Sequence, residues 1–338
     1  MNLKQIKLSP NRRKEENEIF EKKFGARDYM ETYYPENIDV EKFARAIKQI
    51  QQAIEDNDGR VNIEDIVSET NLPHEIVENI VIFDFQRRMS SHFAKAFPKG
   101  NMKILDVGGG PTIYQHIPVS LQADKITHSE FLQQNRTEVE RWLNQEDGAY
   151  NWDAYFSLMK RTLQEDEGYM SILREQSESS DKITELHANK TLHILESEDI
   201  EELKDHLRNT LSSVVYGNVF KKGLELPSSF LGGRVDLLTS NFTIESATAD
   251  YSTWKNGMNN IINKIKPGGY LSLQAIRNAT WYQVGNERMP ATPINEDDIT
   301  NFLTKNGFSI IELSVLEGSD KKNVGYDGMV FVMAQKGR

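Results

Sequence analysis

A glycine-rich turn is the part of this sequence whose residue types most clearly suit a ligand. Residues 105–110 read Leu-Asp-Val-Gly-Gly-Gly and end a short apolar run. Glycine lets the chain turn sharply and lets a ligand approach the backbone, where a side chain would occupy the ligand's space. The spacing of Asp106, Gly108 and Gly110 is Asp-x-Gly-x-Gly, which differs from the Gly-x-Gly-x-x-Gly of dinucleotide sites. It favours a cofactor without a pyrophosphate.

Glu130 supports this interpretation. It lies just past residues 125–128, a second segment that could form a strand. In folds of this kind, an acid at that position accepts hydrogen bonds from both hydroxyls of a ribose. The alternative is that the glycines form an ordinary tight turn and that Glu130 caps a helix.

Apolar runs that alternate with helical segments indicate how the turn is positioned. Such alternation predicts an α/β fold in which helices cover both faces of a mostly parallel sheet. The candidate strands are residues 102–107, 125–128, 213–216, 235–239, 270–273, 308–313 and 328–333.

Composition narrows the class of protein. The chain has 338 residues, no cysteine and a net charge of -11. Without cysteine it has no disulfide, thiolate zinc site or cysteine nucleophile. The negative charge argues against nucleic acid as a partner, because phosphate binding relies on Lys and Arg. No run approaches the ~20 apolar residues that span a bilayer, so we expect a cytoplasmic protein without a membrane partner. We expect it to be either a monomer or a homodimer.

The chain before the first candidate strand is helical in pattern. Phe43, Ile47, Ile50 and Ile54 recur at helical spacing, and residues 63–81 outline two helices joined by a tight turn. This helix-turn-helix outline lacks a basic stripe, which favours a substrate cap or dimer contact over DNA binding. We expect an arm covering the cofactor at 1–36, a helical cap or insertion at 37–98, and the ligand-binding domain at 99–338 with a lid-like insertion at about 156–209.

Residues 110–115, Gly-Pro-Thr-Ile-Tyr-Gln, carry a family resemblance. Together with residues 27–34, 135–143 and 281–285, they resemble the small-molecule methyltransferases that include nicotinamide, phenylethanolamine and indolethylamine N-methyltransferases and thioether S-methyltransferase. The resemblance implies S-adenosylmethionine as the cofactor. It also implies a Rossmann-like sheet of seven strands, mostly parallel, with the last strand antiparallel.

The resemblance assigns a set of cofactor-binding positions. Several of them depart from the family's usual residue: Gly109 is commonly serine, Glu130 replaces an aspartate and Phe131 replaces a tyrosine. Asn218 replaces an aspartate beside the adenine. The full set is Tyr29, Tyr34, Asp106, Gly108, Gly109, Gly110, Thr112, Glu130, Phe131, Asn135, Asn218, Val219 and Asn241.

The acceptor side resembles the family less closely. The resemblance places Tyr29 and Tyr282 beside the acceptor, but Ala275 and Ala291 replace polar residues that contact nicotinamide in the family. Aromatic faces attract a sulfonium or an ammonium, and Trp281 is a further candidate. The candidate bases that would remove a proton from an amine are Glu245 and Glu287.

His116 and His128 flank the glycine turn and the second strand. No metal-ligand spacing connects them, so structural hydrogen bonds are expected and no metal is predicted.

The sequence therefore predicts an S-adenosylmethionine-dependent methyltransferase acting on a small molecule, most simply at nitrogen, in specialised metabolism. Transfer to sulfur or oxygen is an alternative, and so is a catalytically silent module that binds the cofactor for regulation. A nicotinamide-dependent reductase would need a pyrophosphate loop that this spacing does not supply.

Overall fold

The protein is described by a computed structural model that covers residues 20–230 and 233–338. Residues 1–19 of the predicted arm lie outside the described residues. The α-helices are α1 (Ala26–Tyr33), α2 (Val40–Asp56), α3 (Ile63–Thr70), α4 (His74–Ala96), α5 (Ile117–Ser120), α6 (Gln133–Leu143), α7 (Asp153–Gln164), α8 (Glu167–Ser177), α9 (Lys182–Glu196), α10 (Glu201–Thr210), α11 (Tyr251–Ile262), α12 (Glu296–Lys305) and α13 (Lys321–Val324).

The strands form one large sheet and a separate hairpin. They are β1 (Arg60–Asn62), β2 (Met102–Val107), β3 (Ala123–Glu130), β4 (Leu211–Tyr216), β5 (Val235–Asn241), β6 (Ile265–Ile276), β7 (Trp281–Val284), β8 (Glu287–Pro290), β9 (Phe308–Glu317) and β10 (Gly328–Lys336). The large sheet has the order β1-β9-β10-β6-β5-β2-β3-β4, and β7 pairs with β8.

All seven predicted strands are present, and the mostly parallel arrangement is confirmed. β2 lies parallel to both β3 and β5. The last strand, β10, runs antiparallel to its neighbours β6 and β9, as the family resemblance implied. The order of the strands in the sheet changes direction at β2, which has β3 on one side and β5 on the other. In α/β proteins, ligands bind at the carboxyl ends of the strands at such a point.

The sheet has an eighth strand that the sequence did not indicate. β1 pairs in parallel with β9 at the edge of the sheet, with Arg60 opposite Val315. Only Val61 of its three residues is buried. So short a strand leaves no periodic pattern in the sequence, because its pairing depends on an edge that forms elsewhere in the chain.

The helical segment before β2 packs directly on the sheet. The ring of Phe85 in α4 lies 5.4 Å from the ring of Phe331 in β10. The predicted turn between two helices is present at Asn71, which adopts a left-handed φ of 53°. The four residues predicted to line one face of α2 are all buried. Segment 37–98 thus shares the core of the fold, while its role as a substrate cap stays a prediction.

Residues 156–209 form helices α7 to α10, in which Leu158, Met159 and Leu207 are buried. Their role as a lid also stays a prediction. No helix among the described residues has the length and apolar character needed to cross a membrane.

Truncating Phe85 tests how far α4 belongs to the core. Phe85 is fully buried. Phe85→Ala is expected to lower the free energy of unfolding by about 3–5 kcal/mol, because it removes a ring from a packed interface. Urea unfolding would measure the loss.

Leu186→Ala in α9 is the control, since Leu186 is 73% exposed. It should change stability by less than about 0.5 kcal/mol. Equal stability of the Phe85→Ala variant and the parent protein would contradict the packing described for α4.

Candidate active site

A cavity of about 860 Å³ opens at the carboxyl ends of the central strands. Its lining includes the residues that follow directly on β2, β3, β4 and β5. The volume is in the range of sites that enclose most of a small ligand. Of the predicted site residues, the cavity is lined by Tyr29, Tyr34, Gly108, Gly109, Gly110, Thr112, Glu130, Phe131, Asn135, Asn218, Val219, Asn241 and Tyr282.

The glycine turn leaves its backbone open to the cavity. Gly108 and Gly110 have φ angles of 68° and 66°, a left-handed conformation that disfavours other residues. A Cβ added to Gly110 would meet no atom within 4 Å. The space in front of Gly110 is therefore available to a ligand.

Glu130 ends β3 and holds the turn from the adjacent strand. Its Oε2 accepts a hydrogen bond from the backbone N–H of Gly110 at 3.1 Å. Its Oε1 accepts from the N–H of Leu132 at 2.7 Å and from Nδ2 of Asn135 at 3.2 Å. Burial raises the pKa of Glu130, and these hydrogen bonds act against the rise. The carboxylate thus lines the cavity in a fixed orientation.

Two amide oxygens lining the cavity lack a partner. Oδ1 of Asn135 and Oδ1 of Asn241 are buried and accept no hydrogen bond from the described residues. Buried polar atoms normally have a partner, so unsatisfied atoms in a cavity wall fit a ligand with polar hydrogens. Together with the open face of Gly110, they fit the adenosyl and amino-acid parts of S-adenosylmethionine.

Aromatic residues close the cavity from the N-terminal side. The rings of Tyr29 and Tyr34 are 6.0 Å apart, and the hydroxyl groups of Tyr34 and Tyr114 are 2.8 Å apart. Burial raises the pKa of the phenols of Tyr29, Tyr34 and Tyr282 well above the ordinary value. These phenols are neutral at physiological pH, so they supply ring faces and hydroxyl groups rather than charge.

Asp106 lies beneath the turn and is not among the residues lining the cavity. It is fully buried, and its Oδ1 accepts a hydrogen bond from Thr239 at 2.6 Å. The expected contact of Asp106 with the cofactor therefore stays a prediction. Its side chain points away from the turn's open face and joins β2 to β5.

Glu245 lies behind the cavity wall. It is 1% exposed, and its Oε1 accepts a hydrogen bond from the N–H of Ile276 at 3.0 Å. Burial raises its pKa to about 7. The residue was expected to act on the acceptor, but it is not among the lining residues. It instead fixes Ile276, which does line the cavity.

The other acceptor-side candidates also lie off the cavity. Ala275 and Ala291 are buried in the core. The Arg288 guanidinium lies 4.0 Å from the centre of the Trp281 ring, and Glu287 pairs with Lys23 at the surface at 2.8 Å. The structure therefore does not support Glu287 as a base.

Several lining residues had no signal in the sequence. Glu78 of α4 accepts hydrogen bonds from Ser319 at 2.6 Å and from Tyr326 at 2.8 Å. Tyr33 donates to the carbonyl oxygen of Gln283 at 2.8 Å. These residues come from distant parts of the chain, so only the cluster of tyrosines at 29–34 could have indicated one of them.

A mostly parallel sheet with an antiparallel last strand, bearing a glycine turn and an acid at its carboxyl edge, is the arrangement of S-adenosylmethionine-dependent methyltransferases, and this protein is one of them. The chain belongs to the NNMT/PNMT/TEMT family, whose sequence model matches residues 74–337.

Two relatives by sequence agree with this family. Phenylethanolamine N-methyltransferase of Mus musculus is 27% identical over 253 residues, which cover 74% of this chain and 75% of that protein. Nicotinamide N-methyltransferase of Homo sapiens is 21% identical over 239 residues, which cover 70% and 78%. Among solved structures, magnesium protoporphyrin IX methyltransferase of Synechocystis PCC 6803 covers 98% of this chain and 100% of that chain, with 10% identity and a TM-score of 0.44.

Replacing Glu245 should change how stability depends on pH. Its pKa is raised from 4.5 to about 7, so between these values the folded carboxyl holds a proton that the unfolded chain has lost. Stability therefore falls as the pH rises through this window. The Glu245→Gln variant has no carboxyl here to lose a proton. Its free energy of unfolding, relative to that of the parent protein, should therefore rise by about 2 kcal/mol from pH 5 to pH 8.

Urea unfolding of both proteins at pH 5 and pH 8 measures the difference. Glu69→Gln serves as the control, because Glu69 is exposed on α3 and the substitution removes the same charge without burial. If the Glu245→Gln variant and the parent protein differed in stability by the same amount at pH 5 and at pH 8, that result would refute the raised pKa of Glu245.

Proposed function

We propose that this methyltransferase transfers the methyl group of S-adenosylmethionine to the nitrogen of a small molecule. The observation that carries the proposal is the cradle formed by Glu130, the open face of Gly110 and the unsatisfied oxygens of Asn135 and Asn241. Its hydrogen-bonding groups suit a nucleoside that also bears a charged amino-acid tail.

We assign the cofactor's parts to residues around this cradle. Glu130 and Asn135 would bind the ribose, and Phe131, Asn218 and Val219 would frame the adenine. The methionine portion would lie along the turn. The residues assigned to it are Gly108, Gly109, Gly110, Thr112 and Asn241, with Tyr29 and Tyr34 closing over the top.

The sulfonium of the cofactor supplies an activated methyl group and its own leaving group. The protein's residues then have to align the acceptor with the methyl carbon and keep water out. Tyr29 and Tyr282 are the residues that we propose border the acceptor. Their neutral rings present faces that attract cationic groups. Glu245 takes a positioning role through Ile276 in place of direct proton transfer.

The charge of the acceptor half favours nitrogen over sulfur or oxygen. Glu64, Glu78 and Asp320 line the cavity there, and the described residues of its lining include no lysine or arginine. A negative wall attracts an amine, which is protonated in solution. The two relatives by sequence are N-methyltransferases, which agrees with this choice.

We further propose a cytoplasmic enzyme that acts as a monomer or homodimer and does not bind nucleic acid. The net charge of -11 opposes binding to a phosphate backbone. The acidic cavity lining also disfavours phosphate-bearing acceptors.

A panel of acceptors would test the function. Aryl-alkyl amines, thioethers and alcohols that share one carbon skeleton are incubated with S-adenosylmethionine, and S-adenosylhomocysteine is measured. Turnover with amines alone supports the proposal. Turnover only with thioethers or alcohols would establish the alternative acceptors, and cofactor binding without any turnover would favour a silent regulatory module.

Blocking the turn tests the cofactor site by itself. Gly110→Arg places a long side chain in the open space before the turn, so S-adenosylmethionine affinity measured by calorimetry should fall by about 100-fold or more. Gly307→Arg is matched to it. Gly307 has a φ of 79° and no atom within 4 Å of an added Cβ, yet it lies outside the cavity.

Both variants put a side chain on a left-handed residue, at a cost of about 1–2 kcal/mol each. Gly307→Arg is expected to bind the cofactor as the parent protein does. If Gly110→Arg also retained the parent affinity, the cofactor could not lie along this turn.

A further inference from the structure

Three potential metal ligands meet beneath the glycine turn. They are Asp106 at the end of β2, His116 in the short 3₁₀ helix Tyr114–His116, and His128 in β3. All three side chains are at most 1% exposed. They lie apart from the cavity lining, so the cofactor site does not explain them.

The distances between the ligand atoms match a metal's coordination shell. Nε2 of His116 lies 3.1 Å from Nδ1 of His128. Oδ2 of Asp106 lies 3.5 Å from Nε2 of His116 and 3.4 Å from Nδ1 of His128. Zinc bonds of 2.0–2.2 Å in a tetrahedron separate the ligand atoms by roughly 3.3–3.6 Å. The three atoms thus form one face of such a tetrahedron.

Hydrogen bonds account for this cluster only in part. Nε2 of His128 lies 3.0 Å from the carbonyl oxygen of Gly110 and must donate to it, so Nδ1 carries a lone pair. Nε2 of His116 can donate one proton, either to Nδ1 of His128 at 3.1 Å or to Oδ2 of Asp106, and Oδ2 also accepts a long hydrogen bond from Nε2 of Gln115 at 3.4 Å. Nδ1 of His116 is buried without a partner among the described residues, and this holds whether Nε2 carries a proton or binds a metal. The two distances from Asp106 also exceed those of good hydrogen bonds.

The surroundings are those of a ligated metal. Histidines that bind a metal usually donate their other N–H to a carbonyl or carboxylate, which fixes the ring and its tautomer. His128 has this arrangement through Gly110. The second oxygen of Asp106 is likewise fixed by the hydroxyl of Thr239.

Gly109 makes room for the cluster. A Cβ at this position would collide with Oδ2 of Asp106 and with the ring of His128. The glycine of this chain therefore accompanies the buried histidine that needs the space.

We propose that Asp106, His116 and His128 bind a divalent transition metal, with zinc as the best match, and that this metal fastens the glycine turn to β2 and β3. Two imidazoles and one carboxylate are ligands that zinc accepts, and water or an amide oxygen would complete the tetrahedron. Gln115 lies beside the site, with Nε2 3.4 Å from Oδ2 of Asp106. The site is structural, because Asp106, His116 and His128 do not line the cavity.

Metal content of the intact protein tests this site without any activity assay. Protein purified from cells grown with added zinc should contain about one zinc ion per chain by mass spectrometry of the elements. Protein from cells grown with cobalt should show the strong visible absorption of tetrahedral cobalt. Removing the metal with a chelator should lower the unfolding temperature, because a ligand held only by the folded state stabilises it.

His116→Gln should reduce bound metal at least about 10-fold and abolish the cobalt absorption. His193→Gln is the control, since its side chain is 75% exposed, and it should retain both. Metal-free wild-type protein from the supplemented cells would overturn the proposal, and so would a His116→Gln variant with unchanged metal content. If His116→Gln does not fold, the wild-type cobalt spectrum decides alone, because absent or octahedral bands contradict a buried tetrahedral site.

Discussion

The hydrogen bond between Glu130 and Gly110 is the interaction on which the site depends. A carboxylate removed from water is costly unless its oxygens find donors. Glu130 finds them in the N–H groups of Gly110 and Leu132 and in the amide of Asn135. The N–H of Gly110 is presented only because the turn adopts left-handed angles, so the acid and the turn each require the conformation of the other.

The sequence could predict those parts of the protein whose structure depends on residues close together in the chain. Most of the long strands are recognisable because strands buried in the middle of such a sheet need apolar runs. The turn and Glu130 are recognisable because they directly follow two of those strands. β1 escapes prediction, since three residues at a sheet edge carry no pattern. The positions of Glu78, Ser319 and Tyr326 also escape it, because tertiary packing alone brings α4 against the segment between β9 and β10.

The family resemblance is also closer for residues next to strand ends than for residues that tertiary packing brings to the site. The cofactor half of the cavity is built from residues next to strand ends, and there the predicted residues line the cavity with the exception of Asp106. On the acceptor side, Ala275 and Ala291 lie in the core, while Glu78 enters from the helical segment before β2. Polar groups that orient an acceptor can thus come from a different element of the fold. Residues at the strand ends thus determine the class of reaction, whereas residues of the surrounding segments determine which acceptor binds.

Asp106 shows why position in a motif does not determine a residue's role. It belongs to the Asp-x-Gly-x-Gly pattern, yet its carboxylate faces Thr239 and the two histidines on the side of the turn away from the cavity. A buried acid in that place needs partners of its own, and they come from β3, β5 and the 3₁₀ helix. The turn is therefore held from both sides, by Glu130 where the cofactor binds and by Asp106 underneath. Because a fixed turn loses less conformational entropy when a ligand binds, the contacts beneath the turn contribute to cofactor affinity without touching the cofactor.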